Sequence, residues 1–207
     1  MPRYTAPRGT QDILPEDQPY WRYVIARAQQ IAQLYGFEQI TTPIIESTEI
    51  FARGVGEGTD IVDKEMYSFQ DKGGTDLTLR PEFTAGIVRA YIQHGMHPLP
   101  QPVKVYTIGP IFRYERPQAG RYRQHNQFNI EAFGEQDPAL DAEVMEVARH
   151  LYADLGFCGL AFQINSTGCP DCRPAYISVL VDYYRTYAGQ ICKDCKRRLE
   201  INPLRVL

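Results

Sequence analysis

The chain lacks the two features that would place it in a membrane or outside the cell. No apolar run in its 207 residues approaches the length of a membrane span. The N-terminal stretch MPRYTAPRGTQD has no apolar segment of the kind found in a secretory signal peptide. These absences argue against a membrane-spanning or secreted protein and predict a cytoplasmic one.

The chain also lacks a strong net charge. It has 22 Lys and Arg against 25 Asp and Glu, which gives a formal net charge of −3. Because there is no global basic field, any binding of nucleic acid would depend on local basic patches. The hydrophobic content of 43% and charged content of 23% are those of an ordinary soluble globular protein. The length is sufficient for one domain with its own core, with or without an appendage.

Cysteine is scarce, but four of the five cysteines occur in two C-x-x-C pairs. The first pair is Cys169 with Cys172, the second is Cys192 with Cys195, and nineteen residues lie between the two pairs. In a cytosolic protein this spacing favours a structural zinc site of four thiolates over disulfides, and two pairs of free thiols are the alternative. The fifth, Cys158, is predicted to be a buried apolar residue.

Hydrophobic periodicity and start signals predict both helices and strands, with a Gly-rich loop over residues 52–63. Pro81 is expected at the first position of the second helix, with Glu82 in its first turn. The predicted helices cover residues 19–35, a segment from 81, residues 138–155 and about 174–187. The predicted strands cover residues 37–45, 66–70 with 76–80 as a hairpin, 103–111 and 160–164.

Within residues 108–134, a loop that contains Pro and Gly separates two β-rich segments, which predicts a long hairpin. Gln127, Asn129 and Glu131 recur at a spacing of two on the returning arm and therefore share one face of it. The arginines at the tip are Arg113, Arg116, Arg121 and Arg123. This placement fits a phosphorylated, zwitterionic ligand, and an exposed hairpin with solvated charges is the alternative.

Five segments that occur in one order along the chain resemble histidyl-tRNA synthetases, which are class II aminoacyl-tRNA synthetases. They are PRGTQDILP, TTPIIE, LRPEFTAGIVRAY, FRYERPQAGRYRQ and NPLRVL, and together they extend over essentially the whole chain. The resemblance implies an α+β fold in which helices flank an antiparallel β-sheet. It also implies activation of L-histidine with ATP and Mg²⁺, followed by transfer to tRNA(His).

The resemblance assigns the phosphate side of the active site to the hairpin. Arg113 is expected to bind the α-phosphate and the substrate carboxylate, because a guanidinium presents a planar fork of donors. Arg121 resembles the arginine that meets the terminal phosphate of ATP. Glu115 is expected to share a strand face with Arg113 and to orient the adenine end or Mg²⁺.

The resemblance assigns the histidine side of the site to polar residues around the returning arm. Glu82 and the amide oxygen of Gln127 would accept hydrogen bonds from the α-ammonium, which has three donors. Glu131 would accept from the imidazole N–H, and Thr84 would add a hydroxyl to the pocket wall. At His125-Asn126 the family usually has an aromatic residue followed by His, and no role is assigned there.

The resemblance also implies that the chain is incomplete. Residues 1–164 would be a partial catalytic core, and residues 165–207 a cysteine-bearing helical segment. A second catalytic arginine, the third class motif and the anticodon-binding domain would follow Leu207, so negligible aminoacylation is expected from the chain alone. The first helix and the strand with Pro43 resemble the dimer-forming motif of the class and imply a homodimer. Packing of that helix on its own sheet is the alternative.

Two other functions remain open from the sequence. One is the synthetase-like regulatory subunit of ATP phosphoribosyltransferase, a binding protein on the same scaffold. Its relatives tend to lose parts of the synthetase site, whereas all five residues are present here: Glu82, Arg113, Arg121, Gln127 and Glu131. The other is a zinc-ribbon interaction module that retains a synthetase core.

Overall fold

The computed structural model describes residues 4–55, 59, 62, 65–166 and 168–206. No helix among these residues combines the length and the apolarity needed to cross a membrane. The elements, in chain order, are α1 Gln18–Leu34, β1 Glu38–Gln39, β2 Ile45–Ser47, α2 Thr48–Val55, β3 Tyr67–Gln70, β4 Asp76–Leu79, α3 Thr84–Gln93, β5 Val103–Phe112, β6 Gln124–Phe133, α4 Pro138–Asp154, α5 Arg173–Thr186, α6 Lys193–Ile201 and a 3₁₀ turn, Pro203–Val206.

The strands of the described residues form two three-stranded sheets. In the first sheet β5 is central, with β1 parallel to it on one side and β6 antiparallel on the other. In the second sheet β4 is central and pairs antiparallel with β2 and β3. The predicted α+β fold with antiparallel strands and flanking helices is confirmed, and the parallel pair and the division into two sheets are additions to it.

The predicted long hairpin is confirmed as β5 and β6. The two strands pair along their whole length, from Val103 opposite Phe133 to Phe112 opposite Gln124. The loop of residues 113–123 connects them at one end of the sheet. Alternate side chains of each strand therefore point to opposite faces of this sheet.

Each face of the hairpin has a different neighbour. Tyr106 on one face packs against Ile31 of α1 and Val147 of α4. On the other face Val105 packs against Phe83, the residue before α3, and against Ile87 of α3. The odd-numbered positions of β6 lie on this second face, since Phe133 packs against the same cluster. The row of polar residues on β6 consequently faces the side of the sheet where α3 begins.

Arg80 ties the second sheet to this hairpin. Its side chain is buried and donates hydrogen bonds from Nε to the Pro110 carbonyl and from Nη1 to the Thr42 carbonyl, both at 2.9 Å. The guanidinium lies 4.4 Å from the centroid of the Phe83 ring. Burial lowers the pKa of Arg80 from its ordinary value. These contacts fix the segment that follows Arg80, which leads directly to Glu82.

The prediction of one strand over residues 37–45 is wrong. Only Glu38–Gln39 and Ile45–Ser47 are strands, and they belong to different sheets. Between them the carbonyls of Thr42 and Pro43 accept hydrogen bonds from Arg80 Nη1 at 2.9 and 3.4 Å. Because a side chain satisfies these carbonyls and Pro43 has no N–H, the chain leaves the ladder here.

Three further boundaries differ from the sequence predictions. Helix α3 begins at Thr84, so Pro81 and Glu82 precede it. Residues 160–164 form no strand, and Ile164 is 78% exposed. Residues 52–55 belong to α2, which the sequence did not predict, and most of the remaining Gly-rich loop lies outside the described residues.

Candidate active site

Glu82 lies immediately before α3 and binds the start of that helix. Its carboxylate accepts the N–H of Thr84 at 2.5 Å and the N–H of Ala85 at 2.8 Å. Two N–H groups of the first turn, which have no partner within the helix, are satisfied in this way. Each carboxylate oxygen retains a second acceptor site. Glu82 is thus a fixed carboxylate that can still accept hydrogen bonds from a ligand.

Glu131 on β6 is held by two neighbours. Thr84 Oγ1 donates to Glu131 Oε1 at 2.6 Å, and Asn129 Nδ2 donates to the same oxygen at 3.1 Å. The second oxygen, Oε2, makes no hydrogen bond to any residue that the structure describes. Asn129 therefore orients Glu131. The spacing of two on the strand placed Asn129 in this row, but the sequence reasoning gave it no role.

Gln127 and His125 lie on the same face of β6 as Glu131. The side-chain oxygen of Gln127, Oε1, is buried and has no hydrogen-bond partner within the described part of the chain. The same is true of Nδ1 of His125. A buried polar atom without a partner costs about 1 to 3 kcal/mol, so each of these atoms needs a partner from outside the protein, such as a ligand or an ordered water.

Arg113 connects the hairpin to the segment before α3. Its backbone N–H donates to the Arg123 carbonyl at 2.8 Å, and its Nε donates to the Pro81 carbonyl, also at 2.8 Å. The two terminal nitrogens, Nη1 and Nη2, make no hydrogen bond to a described residue. The anchoring through Nε orients the guanidinium and leaves its outer edge available for a bidentate contact.

The expectation that Glu115 shares a strand face with Arg113 is wrong, because β5 ends at Phe112 and both residues lie in the loop. Glu115 instead pairs with Arg121, whose Nη1 lies 3.3 Å from Glu115 Oε2. The Arg121 side chain is 65% exposed and that of Glu115 is 18% exposed. Arg121 lies in the loop as predicted. An anion that binds Arg121 would have to displace Glu115 from it.

The N-terminal segment joins the mouth of the hairpin at Gly9, a contact that the sequence reasoning missed. The Gly9 carbonyl accepts the N–H of Arg123 at 2.7 Å and that of Gln124 at 3.3 Å. The φ angle of Gly9 is +84°, and a Cβ there would lie 2.8 Å from Arg123 Cγ. The Arg123 guanidinium stacks on Tyr114 at 3.8 Å from the ring centroid. Arg123 thus has a structural role among the four arginines of the tip.

An open cleft of about 980 Å³ adjoins Glu82 and Thr84. Most of its other lining residues belong to α2 and α3, among them Ile50, Val88 and Ile92. Neither Gln127 nor Glu131 lines it. The cleft is therefore a neighbour of the polar row and does not contain it.

The four paired cysteines are free thiols. Among the described residues, no group of three or more His, Cys, Asp or Glu side chains is arranged to hold a metal ion, so the four-cysteine zinc site remains a prediction. Hydrogen bonds from the Cys172 backbone lower the pKa of the Cys169 thiol, and those from the Cys195 backbone lower the pKa of Cys192. Contact with Cys192 raises the pKa of Cys195. Cys158 is exposed, so its predicted burial is wrong.

Glu82, Thr84 and Glu131 are thus brought together by direct hydrogen bonds, and Arg113 reaches the same segment through Pro81. Gln127 lies on the same strand face as Glu131. The antiparallel hairpin, the arginines at its mouth and the polar row that faces a helix start agree with the class II aminoacyl-tRNA synthetase core that the sequence resembles.

The particular family follows from comparison with known proteins. The family described as "Histidyl-tRNA synthetase" matches residues 9–169 of the chain. The chain belongs to the histidyl-tRNA synthetase family.

Individual relatives agree with this assignment. A histidine–tRNA ligase of Dehalococcoides mccartyi is 57% identical over 204 residues, which are 99% of this chain and 49% of the relative. That of Desulforudis audaxviator is 53% identical over 201 residues, 97% of this chain and 48% of the relative. The chain therefore spans about half the length of the curated relatives it matches.

Two solved structures are similar to the chain as well. Apo histidyl-tRNA synthetase from S. aureus superposes with a TM-score of 0.79 at 43% identity, covering 99% of this chain and 48% of that one. A protein from Bacillus halodurans, described as an ATP phosphoribosyltransferase regulatory subunit/histidyl-tRNA synthetase, superposes with a TM-score of 0.68 at 20% identity, covering 95% of this chain and 55% of that one. The second likeness shows the fold alone.

Proposed function

We propose that the full-length protein to which this chain belongs activates L-histidine with ATP and transfers the histidyl group to tRNA(His). The observation that carries the proposal is the polar row on β6. It offers one oriented carboxylate oxygen on Glu131 and one buried, unpartnered amide oxygen on Gln127. The relatives that are named histidine–tRNA ligases support the same function.

In this proposal the histidine substrate is bound between α3 and β6. The carboxylate of Glu82 and Oε1 of Gln127 accept hydrogen bonds from the α-ammonium. Oε2 of Glu131 accepts the imidazole N–H, while Thr84 keeps Glu131 in position. Since these acceptors are buried or held by other bonds, an amino acid without matching donors would leave them unsatisfied and be rejected.

ATP is bound at the mouth of the hairpin. Arg113 contacts the α-phosphate and the substrate carboxylate through its terminal nitrogens. Arg121 breaks its ion pair with Glu115 and contacts the terminal phosphate instead. Glu115, once released, is available to the adenine end or to Mg²⁺. A carboxylate oxygen of histidine attacks the α-phosphorus, the bond to the β-phosphate oxygen breaks, and pyrophosphate leaves. Positioning and fixed positive charge suffice for such a step.

The remaining parts of the proposal concern organisation. Residues 1–164 form the partial catalytic core, and residues 165–207 form the cysteine-bearing segment. We place the protein in the cytoplasm, where reduced thiols persist.

A homodimer is proposed through the outer side of α1, since Ile31 and Ala32 already pack on the protein's own sheet while Tyr20 remains 74% exposed.

Zinc is proposed as a structural ion at Cys169, Cys172, Cys192 and Cys195. Each pair has the spacing of two ligands in a tetrahedral thiolate site, and the proximity of the Sγ atoms of Cys169 and Cys172, 3.4 Å, is compatible with a shared ion. The two pairs would have to approach each other, because no three ligands converge in the described residues. One zinc ion per chain is expected in protein purified without chelator.

Charging of tRNA(His) with labelled histidine tests the proposed function. The full-length protein is expected to charge the tRNA, whereas the 207-residue chain alone is expected to give negligible charging, because it supplies only part of the site. Addition of other amino acids in place of histidine serves as the control. Measurable charging by the isolated chain would contradict the division of the site between two halves of the protein.

The regulatory-subunit alternative rests on the fold likeness at 20% identity. No contact in the described residues favours it over the synthetase.

A further inference from the structure

The two C-x-x-C pairs lie at the starts of consecutive helices, the first pair before its helix and the second pair across the start of its helix. Cys172 immediately precedes α5 and Cys192 immediately precedes α6. Cys169 is three residues before Cys172, and Cys195 lies in the first turn of α6. Each pair is therefore contained in one short turn, and α5 and residues 187–191 lie between the two turns in the sequence.

The first pair is already in thiol–thiol contact. The Sγ atoms of Cys169 and Cys172 are 3.4 Å apart, and the Cys169 N–H donates to Cys172 Sγ at 3.2 Å. Gly168 makes this approach possible. It has φ of +81°, and a Cβ at this residue would lie 2.9 Å from Cys172 Sγ.

In the second pair the N–H of the later cysteine donates to the sulfur of the earlier one, which is the reverse of the first pair. The Cys195 N–H donates to Cys192 Sγ at 3.4 Å, so that Cys192 caps the first turn of α6. Three of the four thiols are exposed and Cys195 is half-buried. Within the described residues no third ligating side chain joins either pair. The nearest reaction partner of each thiol is consequently the other member of its own pair.

We propose that each C-x-x-C pair is a site of reversible oxidation, which closes to a disulfide within the pair and not between pairs. The oxidant is a low-molecular-weight disulfide. A thiolate of the pair attacks one of its sulfur atoms and releases one thiol, giving a mixed disulfide. The second thiolate of the pair then attacks the protein sulfur and releases the second thiol. Two protein thiols are oxidised, one small disulfide is reduced to two thiols, and a dithiol reductant reverses the change.

The geometry favours the second step strongly. Formation of an S–S bond of about 2.0 Å requires the first pair to close by little more than an ångström from its present contact. A thiol held this close to a mixed disulfide reacts at a high effective concentration, so the mixed disulfide does not accumulate. An oxidised pair has no thiolates to offer zinc, so oxidation would also prevent binding of the proposed metal.

The test uses the reduced, chelator-treated chain and oxidised glutathione as the probe. Intact mass is expected to fall by about 2 Da for each pair that closes, because two hydrogens leave. Peptide mapping is expected to join Cys169 to Cys172 and Cys192 to Cys195. Cys158, which is exposed and solitary, is expected to be alkylated by iodoacetamide or to carry glutathione. Persistent glutathione on the paired cysteines, bridges between pairs, or unreacted pairs would each overturn the proposal.

Two variants sharpen this experiment. Cys169→Ser is expected to leave Cys172 as a stable glutathione adduct while the second pair still closes. Cys158→Ser is the matched control and is expected to form both intra-pair disulfides. If Cys169→Ser instead joins Cys172 to a cysteine of the second pair, closure is not confined to one pair and the proposal fails. Zinc content, measured on separate samples purified without chelator, bears on the metal proposal alone, and none of these readouts depends on synthetase activity.

Discussion

Arg113→Lys in the full-length protein is expected to reduce histidine-dependent exchange of pyrophosphate into ATP by about 10²- to 10³-fold. Arg113 is anchored through Nε to the Pro81 carbonyl, which orients its terminal nitrogens as a fork. A lysine ammonium retains the charge but cannot bond to Pro81 and to two substrate oxygens in one plane. The loss should therefore occur even though the charge is preserved.

Comparison of kcat with the KM for ATP identifies the cause of this loss. If Arg113 stabilises charge that develops at the α-phosphorus, kcat falls more than the KM for ATP changes. Arg116→Lys is the matched control, since Arg116 is an exposed arginine of the same loop with no assigned role. It is expected to change the exchange rate by no more than about twofold. Exchange by Arg113→Lys at the rate of the parent would contradict the assignment of Arg113.

Glu131→Gln is expected to raise the KM for histidine by about 10²-fold, with little change in the KM for ATP. The substitution preserves size, and an amide oxygen can still accept the hydrogen bonds from Thr84 and Asn129 that now orient Oε1. The amide NH₂ then faces the imidazole N–H, so two donors oppose each other where an acceptor stood. Initial rates of exchange over a range of histidine concentrations measure the effect.

Two other variants separate binding from orientation. Thr84→Val removes the hydroxyl that bonds to Glu131 Oε1 and is expected to raise the histidine KM by a smaller factor, about tenfold. Glu38→Gln changes an exposed glutamate on β1 and is expected to leave both KM values unchanged. An unchanged histidine KM for Glu131→Gln would show that Glu131 does not contact the substrate.

Much of the hairpin could be predicted because its information is local. Its two arms are rich in β-forming residues, the loop between them contains Pro and Gly, and the spacing of two assigns Gln127 and Glu131 to one face. In the structure the two arms pair as an antiparallel hairpin, and the returning arm begins at Gln124 as predicted. The start of α4 was predictable for the same reason, since the Asp137 side chain accepts the Ala139 N–H at 2.8 Å.

Other features depend on contacts between distant segments and could not be predicted. Arg80 donates hydrogen bonds to the carbonyls of residues 42 and 43, and the sequence near them signals the break in the strand only through Pro43, not through this distant arginine. The Gly9 carbonyl accepts a hydrogen bond from the N–H of Arg123, more than one hundred residues later in the sequence. Pro81 and Glu82 do mark the start of a helix, but Glu82 caps α3 from outside it. The first turn therefore begins at Thr84 and not at Pro81.

The cysteine segment shows a similar limit. Spacing alone cannot distinguish four ligands around one ion from two separate dithiols, because both need the same pairs. Helix α6 was missed since its nine residues, KDCKRRLEI, are mostly charged and show no apolar stripe. Its start depends on Cys192, whose Sγ accepts the Cys195 N–H, and sulfur is not among the usual capping groups.

The proposed activation of histidine is measured as exchange of labelled pyrophosphate into ATP by the full-length protein. We expect exchange that requires L-histidine and is absent with histidinol, which offers the ammonium and the imidazole but has no carboxylate to attack the α-phosphorus. Histidine binding without exchange would favour a histidine-sensing regulatory subunit, and neither binding nor exchange would favour an interaction module. Either result would contradict the proposal that this hairpin and its polar row belong to a histidine-activating site.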